Sequence, residues 1–258
     1  NAERRTQNVE RRTLNDCAPR GRIISSVEVI DLGPLPYRDA WARQESAHGD
    51  VLAGGPARIF LVEHPPVITL GRRPGQDRHL LASPEQLAAR GVDCVDSDRG
   101  GDVTFHGPGQ LVCYPILRLA DYRLSVSGYV HLLENVIVDV LAEFGLASCA
   151  DPAAVGVWTT TGRPAKVCAI GVRIRRGVTV HGLALNVTTD LDFFNLIVPC
   201  GLAGRPVTSL ARQLGARCPA MADVKRVLVR SLAGRLGKSE IRDGSGDLPD
   251  ERHSDASR

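Results

Sequence analysis

Two long apolar runs, residues 165–174 and 178–187, meet across Arg176-Gly177, and this junction restricts the fold more than any other feature of the chain. A glycine in the turn accepts the positive φ that tight hairpin connections require, so the runs read as two antiparallel strands. Further strands are expected at 23–30, ended by Gly33-Pro34, and at 58–62, 67–70, 92–95, 103–105, 111–117 and 155–158. Helices are expected at 37–47, from Ser83-Pro84-Glu85-Gln86 onward, and at 127–144, 206–214 and 222–236. The second of these opens with a cap residue, proline at its first position and glutamine at its third. The third carries Val130, Leu133, Ile137, Leu141 and Phe144 at helical spacing, with Gly145 to stop it. Strands joined by hairpins, with helices set apart from them, give an α+β domain of mixed, mostly antiparallel sheets rather than a βαβ repeat.

At 258 residues, 43% of them hydrophobic, the chain has enough material for a sizeable core, and one domain is expected at 23–235. Residues 1–22 hold six Arg against three acids and no apolar segment, so they read as a disordered basic tail and not as a secretory signal. Without an initiator Met, the native start is expected upstream or altered. Residues 236–258, rich in Ser, Asp, Gly and Arg, read as a second disordered tail. Formal charge is +3, so the part beyond the first tail is close to neutral, which argues against a folded nucleic-acid surface. No apolar run approaches the ~20 residues of a membrane helix. Seven cysteines, at 17, 94, 113, 149, 168, 200 and 218, form an odd set without a CxxC pair and read as reduced thiols in a cytosol. No Cys/His spacing suits zinc, and no metal is expected.

Among the basic residues 29 are Arg and three are Lys: Lys166, Lys225 and Lys238. Lys225 falls on an amphipathic helix and Lys238 in the tail, where both are expected to be solvated. Lys166 begins Lys166-Val167-Cys168-Ala169-Ile170-Gly171-Val172, and strict alternation places it on an internal face with Cys168, Ile170 and Val172. An ammonium there is costly unless it is paired or loses its proton. Lysine, unlike arginine, can serve as a base when desolvated. A lysine at a strand end by chance is the competing reading.

Most buried cysteines are simply small core residues, and Cys94, Cys113 and Cys168, within expected strands, fit that description. Cys149 and Cys218 fall in expected loops, Cys17 in the tail. Cys200 differs, because it follows an apolar run over 193–198 and stands between Pro199 and Gly201. A thiol presented at such a turn can attack a carbonyl, with the amides of Cys200 or Gly201 to hold the oxyanion. The densest motif runs from Arg99 to Gln110, Arg-Gly-Gly-Asp-Val-Thr-Phe-His-Gly-Pro-Gly-Gln. It lacks the GxxxxGK[ST] pattern of a phosphate loop. It reads either as a backbone wall for a long, thin ligand, with His106 a polar member of it, or as a tight turn system with a satisfied histidine.

Together these segments resemble the octanoyl-(acyl-carrier-protein)–protein N-octanoyltransferases, the lipoate-protein ligase B family. Its signature R-G-G-x-x-T-[aromatic]-H-x-x-G-Q-x-x-x-Y-P is met from Arg99 to Pro115. The blocks K-V-x-A-I-G-V, H-G-x-A-L-N and P-C-G are met at 166–172, 181–186 and 199–201, with Lys166 and Cys200 34 residues apart. Glu63-His64-Pro65-Pro66-Val67 also matches, although Ile68 stands where an aromatic is common. The resemblance covers roughly residues 23–235. It implies the α+β fold shared with biotin and lipoate ligases. It implies that Cys200 takes octanoate from the phosphopantetheine thioester of octanoyl-acyl carrier protein, with Lys166 as acid/base partner. The acyl group then passes to a lysine on lipoyl domains of 2-oxoacid dehydrogenases and on the glycine cleavage H protein. The acyl pocket would be lined by Arg99, Gly100, Gly101, Asp102, Val103, Thr104, Phe105 and His106, by Ala169, Ile170 and Gly171, and by Gly182, Leu183 and Ala184. Small side chains at 169, 171, 182 and 184 suit a narrow alkyl channel, where each buried methylene contributes ~0.8 kcal/mol. No cofactor, metal, nucleic acid or membrane is implied, and the protein is expected to be a cytoplasmic monomer.

Three other readings share parts of this pattern. An ATP-dependent lipoate or biotin ligase also keeps a lysine like Lys166 but needs no thiol, and Gly71-Arg72-Arg73-Pro74-Gly75 has the wrong spacing for a biotin-ligase glycine loop. An amidotransferase moving acyl groups between lipoyl proteins would differ in its donor. A non-catalytic carrier-binding module would have no use for Cys200 and Lys166.

Overall fold

A computed structural model describes residues 27–199, 204–237 and 241–243. Its first strands are β1 (Val27–Pro34), β2 (Ala57–Glu63), β3 (Val67–Leu70), β4 (Asp93–Asp96), β5 (Thr104–His106) and β6 (Gln110–Ile116). They are followed by β7 (Ser148–Ala150), β8 (Val157–Thr159), β9 (Lys166–Arg175), β10 (Val178–Asn186) and β11 (Ile241–Asp243). Eight form one sheet in the order β11-β1-β2-β6-β10-β9-β8-β7, and three form a second in the order β4-β3-β5. The helices are α1 (Tyr37–Leu52), α2 (Pro84–Ala89), α3 (Val126–Glu143), α4 (Leu210–Leu214) and α5 (Met221–Arg235).

The β9–β10 hairpin turns through Arg176 at φ 50 and Gly177 at φ 79, the left-handed pair that a two-residue turn demands. Antiparallel pairing dominates, as expected of an α+β domain. The β1–β2 and β3–β4 pairs are parallel, with α1 and α2 as their crossovers, which the hairpin pattern did not announce. One face of the large sheet packs on α3 and α5, where Tyr129, Leu133, Ile137, Leu141, Val224, Leu228 and Leu232 meet Ile59, Leu61, Leu111 and Leu185. On the opposite face α1 seats Ala40, Ala47 and Val51 against Phe60, Val62 and Ile116. Beside α1, the small sheet stands over the rest of that face. Its own core of Ile68, Val103 and Phe105 is closed by Leu87 of α2 and by Phe194.

Several expected boundaries move for identifiable reasons. Residues 23–26 of the first expected strand lie outside the described residues, and β1 runs on through Gly33-Pro34, still paired at Pro34 with Glu63. Helix α1 continues past 47 to Leu52, and α2 has the full reciprocal capping box between Ser83 and Gln86. The helix expected from 206 starts only at Leu210, because 206–208 is drawn out along β9: Lys166 N–H donates to Pro206 O at 2.9 Å, and Thr208 N–H donates to Lys166 O at 2.9 Å. Strand β11 takes three residues from the expected C-terminal tail and pairs with β1. The tail over 1–22, and 238–240 and 244–258 of the other, lie outside the described residues. Lys225 is ion-paired with Asp31 at 2.8 Å and fastens α5 to β1. No helix among the described residues is long and apolar enough to cross a membrane.

Candidate active site

The floor of the site is laid by β9, β10 and β6. Ala169 pairs with Ala184, which pairs in turn with Val112, and Gly171 pairs with Gly182 two rungs further on. Over these short side chains lies a cavity of about 320 Å³, at the small end of ligand pockets. Gly182 is compulsory, since a Cβ there would sit 2.1 Å from Cys113 O. Continuing the β6–β10 register puts Pro115, which has no N–H, opposite His181. The regular β6–β10 ladder ends before this point; the His181 N–H donates to Gln44 Oε1 at 2.8 Å, and His181 takes φ 61, a conformation that costs a non-glycine residue about 1–3 kcal/mol.

The roof is the 99–106 segment. Gly100 N–H donates to Val172 O at 3.1 Å, and a Cβ on Gly171 would lie 2.9 Å from Gly100 O, so two glycines set how closely roof and floor approach. The buried Arg99 guanidinium reaches Thr69 Oγ1 at 3.0 Å, Thr69 O at 2.7 Å and Gly100 O at 3.2 Å, which ties the roof to β3. Arg99, Gly100, Gly101, Asp102, Thr104 and His106 line the cavity, as do Ala169, Ile170, Gly171, Gly182, Leu183 and Ala184. Val103 and Phe105 do not. They alternate to the other side of β5, where Phe105 stacks on Phe193 at 4.7 Å and meets Phe194 edge-on at 5.5 Å. Those two rings belong to the 3-10 turn Leu191–Leu196 that leads to Pro199.

Lys166 lines the cavity at its other side, and strict alternation fails there. Trp158 pairs with Lys166 but Val157 with Cys168, so one extra residue bulges from β9 at this point. The bulge sends Val167 and Cys168 into the α3 core and leaves Lys166 on the face of Ala169 and Gly171, opposite to the face shared by Cys168, Ile170 and Val172. Lys166 is 6% exposed; its Nζ donates to Val155 O at 3.0 Å and lies 4.9 Å from the Trp158 ring centre. Lys166, Ala169 and Ala184 also border a smaller cleft whose far wall includes Phe194, Pro199 and Val207. Upstream, Val198 N–H donates to His79 O at 2.7 Å. Cys200, Gly201 and Cys17 lie outside the described residues.

The other thiols differ from one another. Cys113 and Cys168 are fully buried; burial pushes the Cys168 thiol up to about 12 and raises Cys113 as well. Cys94 is exposed rather than core, and Cys149 is exposed on β7 rather than in a loop. No group of three His, Cys, Asp or Glu side chains among the described residues is placed to hold a metal ion.

Sequence reasoning missed Tyr37, Tyr114 and His181 as cavity walls. Their rings join His64 and His106 in one buried cluster, with Tyr37 stacked on His106 at 5.9 Å and His64 Nε2 2.8 Å from the Tyr114 hydroxyl. Alternation along β6 points to Tyr114, whereas Tyr37 comes from a helix start with no local signal. Burial holds His64 down to about 4 and lowers His106 and His181, the last in spite of its 2.6 Å contact with Asp98. The unfolded chain therefore takes up a proton near pH 6.5 that folded His64 takes only near pH 4. Stability is expected to fall by about 3 kcal/mol through this group as pH drops across that window. Urea midpoints at pH 7.5 and 4.5 should show a shallower loss in His64→Gln than in the parent; parallel losses would exclude His64 as the source.

Residues 36–233 match the lipoyl protein ligase A/B catalytic domain family. The chain is 49% identical over 203 residues to an octanoyltransferase of Chloroflexus aurantiacus, covering 78% of this chain and 90% of that one. It is 46% identical over 210 residues to the octanoyltransferase of Bacteroides fragilis, covering 78% and 94%. Among solved structures, a lipoate-protein ligase A bound with ATP superposes with a TM-score of 0.72 at 15% identity, over 87% of this chain and 90% of that one. A bipartite lipoate protein ligase from Thermoplasma acidophilum gives 0.67 at 15% identity, over 84% and 86%. These structural likenesses carry the fold.

Proposed function

The chain belongs to the lipoyl protein ligase A/B catalytic family, among its octanoyltransferases, and from that premise we propose the route its acyl group takes. It is an acyltransferase that performs octanoyl transfer in protein lipoylation. The donor is octanoyl-acyl carrier protein, the nucleophile is Cys200, and residues 23–235 act as one catalytic unit without a second copy. Lys166 takes the Cys200 proton; the thiolate attacks the thioester carbonyl, and the departing phosphopantetheine thiolate receives that proton. One thioester replaces another, so loading needs no ATP. The ε-amine of a lipoyl-domain lysine then attacks the acyl enzyme. Lys166 removes the proton from the attacking amine and returns it to the Cys200 sulfur as the C–S bond breaks.

The observation that supports this reading is the position of Lys166. Its side chain borders both the alkyl-sized cavity and the cleft walled by Pro199, the residue before Cys200. Its main chain holds 206–208, just after Cys200, by two hydrogen bonds. Lys166 thus stands beside described residues on either side of position 200. Incubation with octanoyl carrier protein, without ATP, should add the mass of one octanoyl group, located on the Cys200 peptide and discharged by a lipoyl domain. A strict ATP requirement, or an adduct on another residue, would overturn the route.

A further inference from the structure

A single peptide unit links the Lys166 amine to a buried carboxylate. The carbonyl of Val155–Gly156 accepts from Lys166 Nζ at 3.0 Å, while its N–H donates to Glu134 Oε1 at 3.1 Å. Glu134 is 3% exposed and lies on the core side of α3, three residues before Ile137 and seven before Leu141, both buried. Its second oxygen, Oε2, is 3.0 Å from His131 Nδ1 at the surface. A carboxylate in such a position is costly unless it is hydrogen-bonded, and the function so far described gives it no task. Gly156 completes the device. At φ 123 it has a conformation reserved for glycine, and a Cβ there would lie 2.5 Å from Cys168 O and 3.4 Å from Lys166 Cε.

We infer that Glu134 is a positioning residue for Lys166, acting through the Val155–Gly156 peptide. A lysine amine on a four-carbon stem has many orientations, and a proton carrier must keep one of them through each turnover. The carboxylate fixes the peptide plane from behind, and its charge polarises the amide so that the carbonyl on the far side accepts more strongly. The amine is then directed by a group it never touches. Glu134 meets neither substrate nor reacting atoms, so it is not a catalytic residue.

The inference rests on Lys166 as the proton carrier, and its test separates the two. Glu134→Met fills similar space without an acceptor; Glu134→Asp keeps the charge but falls one bond short of Gly156. Each should lower kcat by about 10- to 100-fold with KM for octanoyl carrier protein within about threefold. Glu134→Gln keeps the acceptor and should stay within about fivefold of the parent, a rescue that loss of the charge alone does not predict. If Glu134→Met fails to fold by circular dichroism, Glu134→Asp carries the measurement. Parental turnover in both Met and Asp variants beside a dead Lys166→Met would sink this inference alone, as would a Gln variant that falls as far as Asp. Parental turnover in Lys166→Met would sink the assignment of Lys166 and this inference with it.

Discussion

Arginine in place of Lys166 is expected to slow octanoyl transfer by about 10³-fold, although the charge is retained. A guanidinium stays protonated at any working pH, so it can hold Val155 O but cannot accept the protons that the proposed route takes from Cys200 and from the acceptor amine. The site is also built for a compact cation. Lys166 lies over one part of the Trp158 ring, and Arg205 is already stacked on that ring at 3.7 Å. A second planar guanidinium would compete for the same surface. Single-turnover assays would report both halves of the reaction: adduct formation from octanoyl carrier protein and discharge to a lipoyl domain should slow together. Unchanged circular dichroism would show that the fold survives. Transfer within about tenfold of the parent would remove Lys166 from the proton chemistry.

The hairpin, the capped helix at Ser83 and the apolar stripe of α3 are legible in the sequence because each depends on neighbours within a few residues. The same is true of the small residues at 169, 171, 182 and 184, whose strand periodicity points them at one face. Lys166 is legible as an anomaly, one of three lysines among 29 arginines and the one that opens a strand, but the face it occupies is not. Alternation gives the wrong side because the β9 bulge is set by pairing with Trp158 and Val157, and that register belongs to no local pattern. Membership of a continuous motif suggests that Val103 and Phe105 join the cavity wall. A strand shows only alternate residues to one side, however, and β5 turns these two toward Phe193 and Phe194. Tyr37 and Glu134 lie far along the chain from the motif at Arg99 and from Lys166, so only three-dimensional packing joins them to the site. Glu134 does carry one signal: an acidic side chain in helical phase with Ile137 and Leu141 is out of keeping with an apolar face.

Alanine in place of Cys200 is expected to abolish both the octanoyl adduct and the transfer, while alanine in place of Cys168 leaves both within about threefold of the parent. Cys168 is the demanding comparison, since it stands two residues from Lys166 and strict alternation would put the two side chains together. The bulge parts them, turning the Cys168 sulfur into the α3 core. Burial then pushes that thiol up to about 12, so at neutral pH only about 10⁻⁵ of it is thiolate. Cys113 is closed off in the same way, and Cys94, Cys149 and Cys218 are not among the residues that line the cavity. No described cysteine therefore combines a reachable sulfur with the Lys166 amine, in keeping with the proposed role of Cys200. Intact-mass measurement on the two variants after mixing with octanoyl carrier protein, followed by transfer to a lipoyl domain, reads both steps. An adduct that persists in Cys200→Ala, or one that disappears in Cys168→Ala while the fold is kept, would move the nucleophile to another residue.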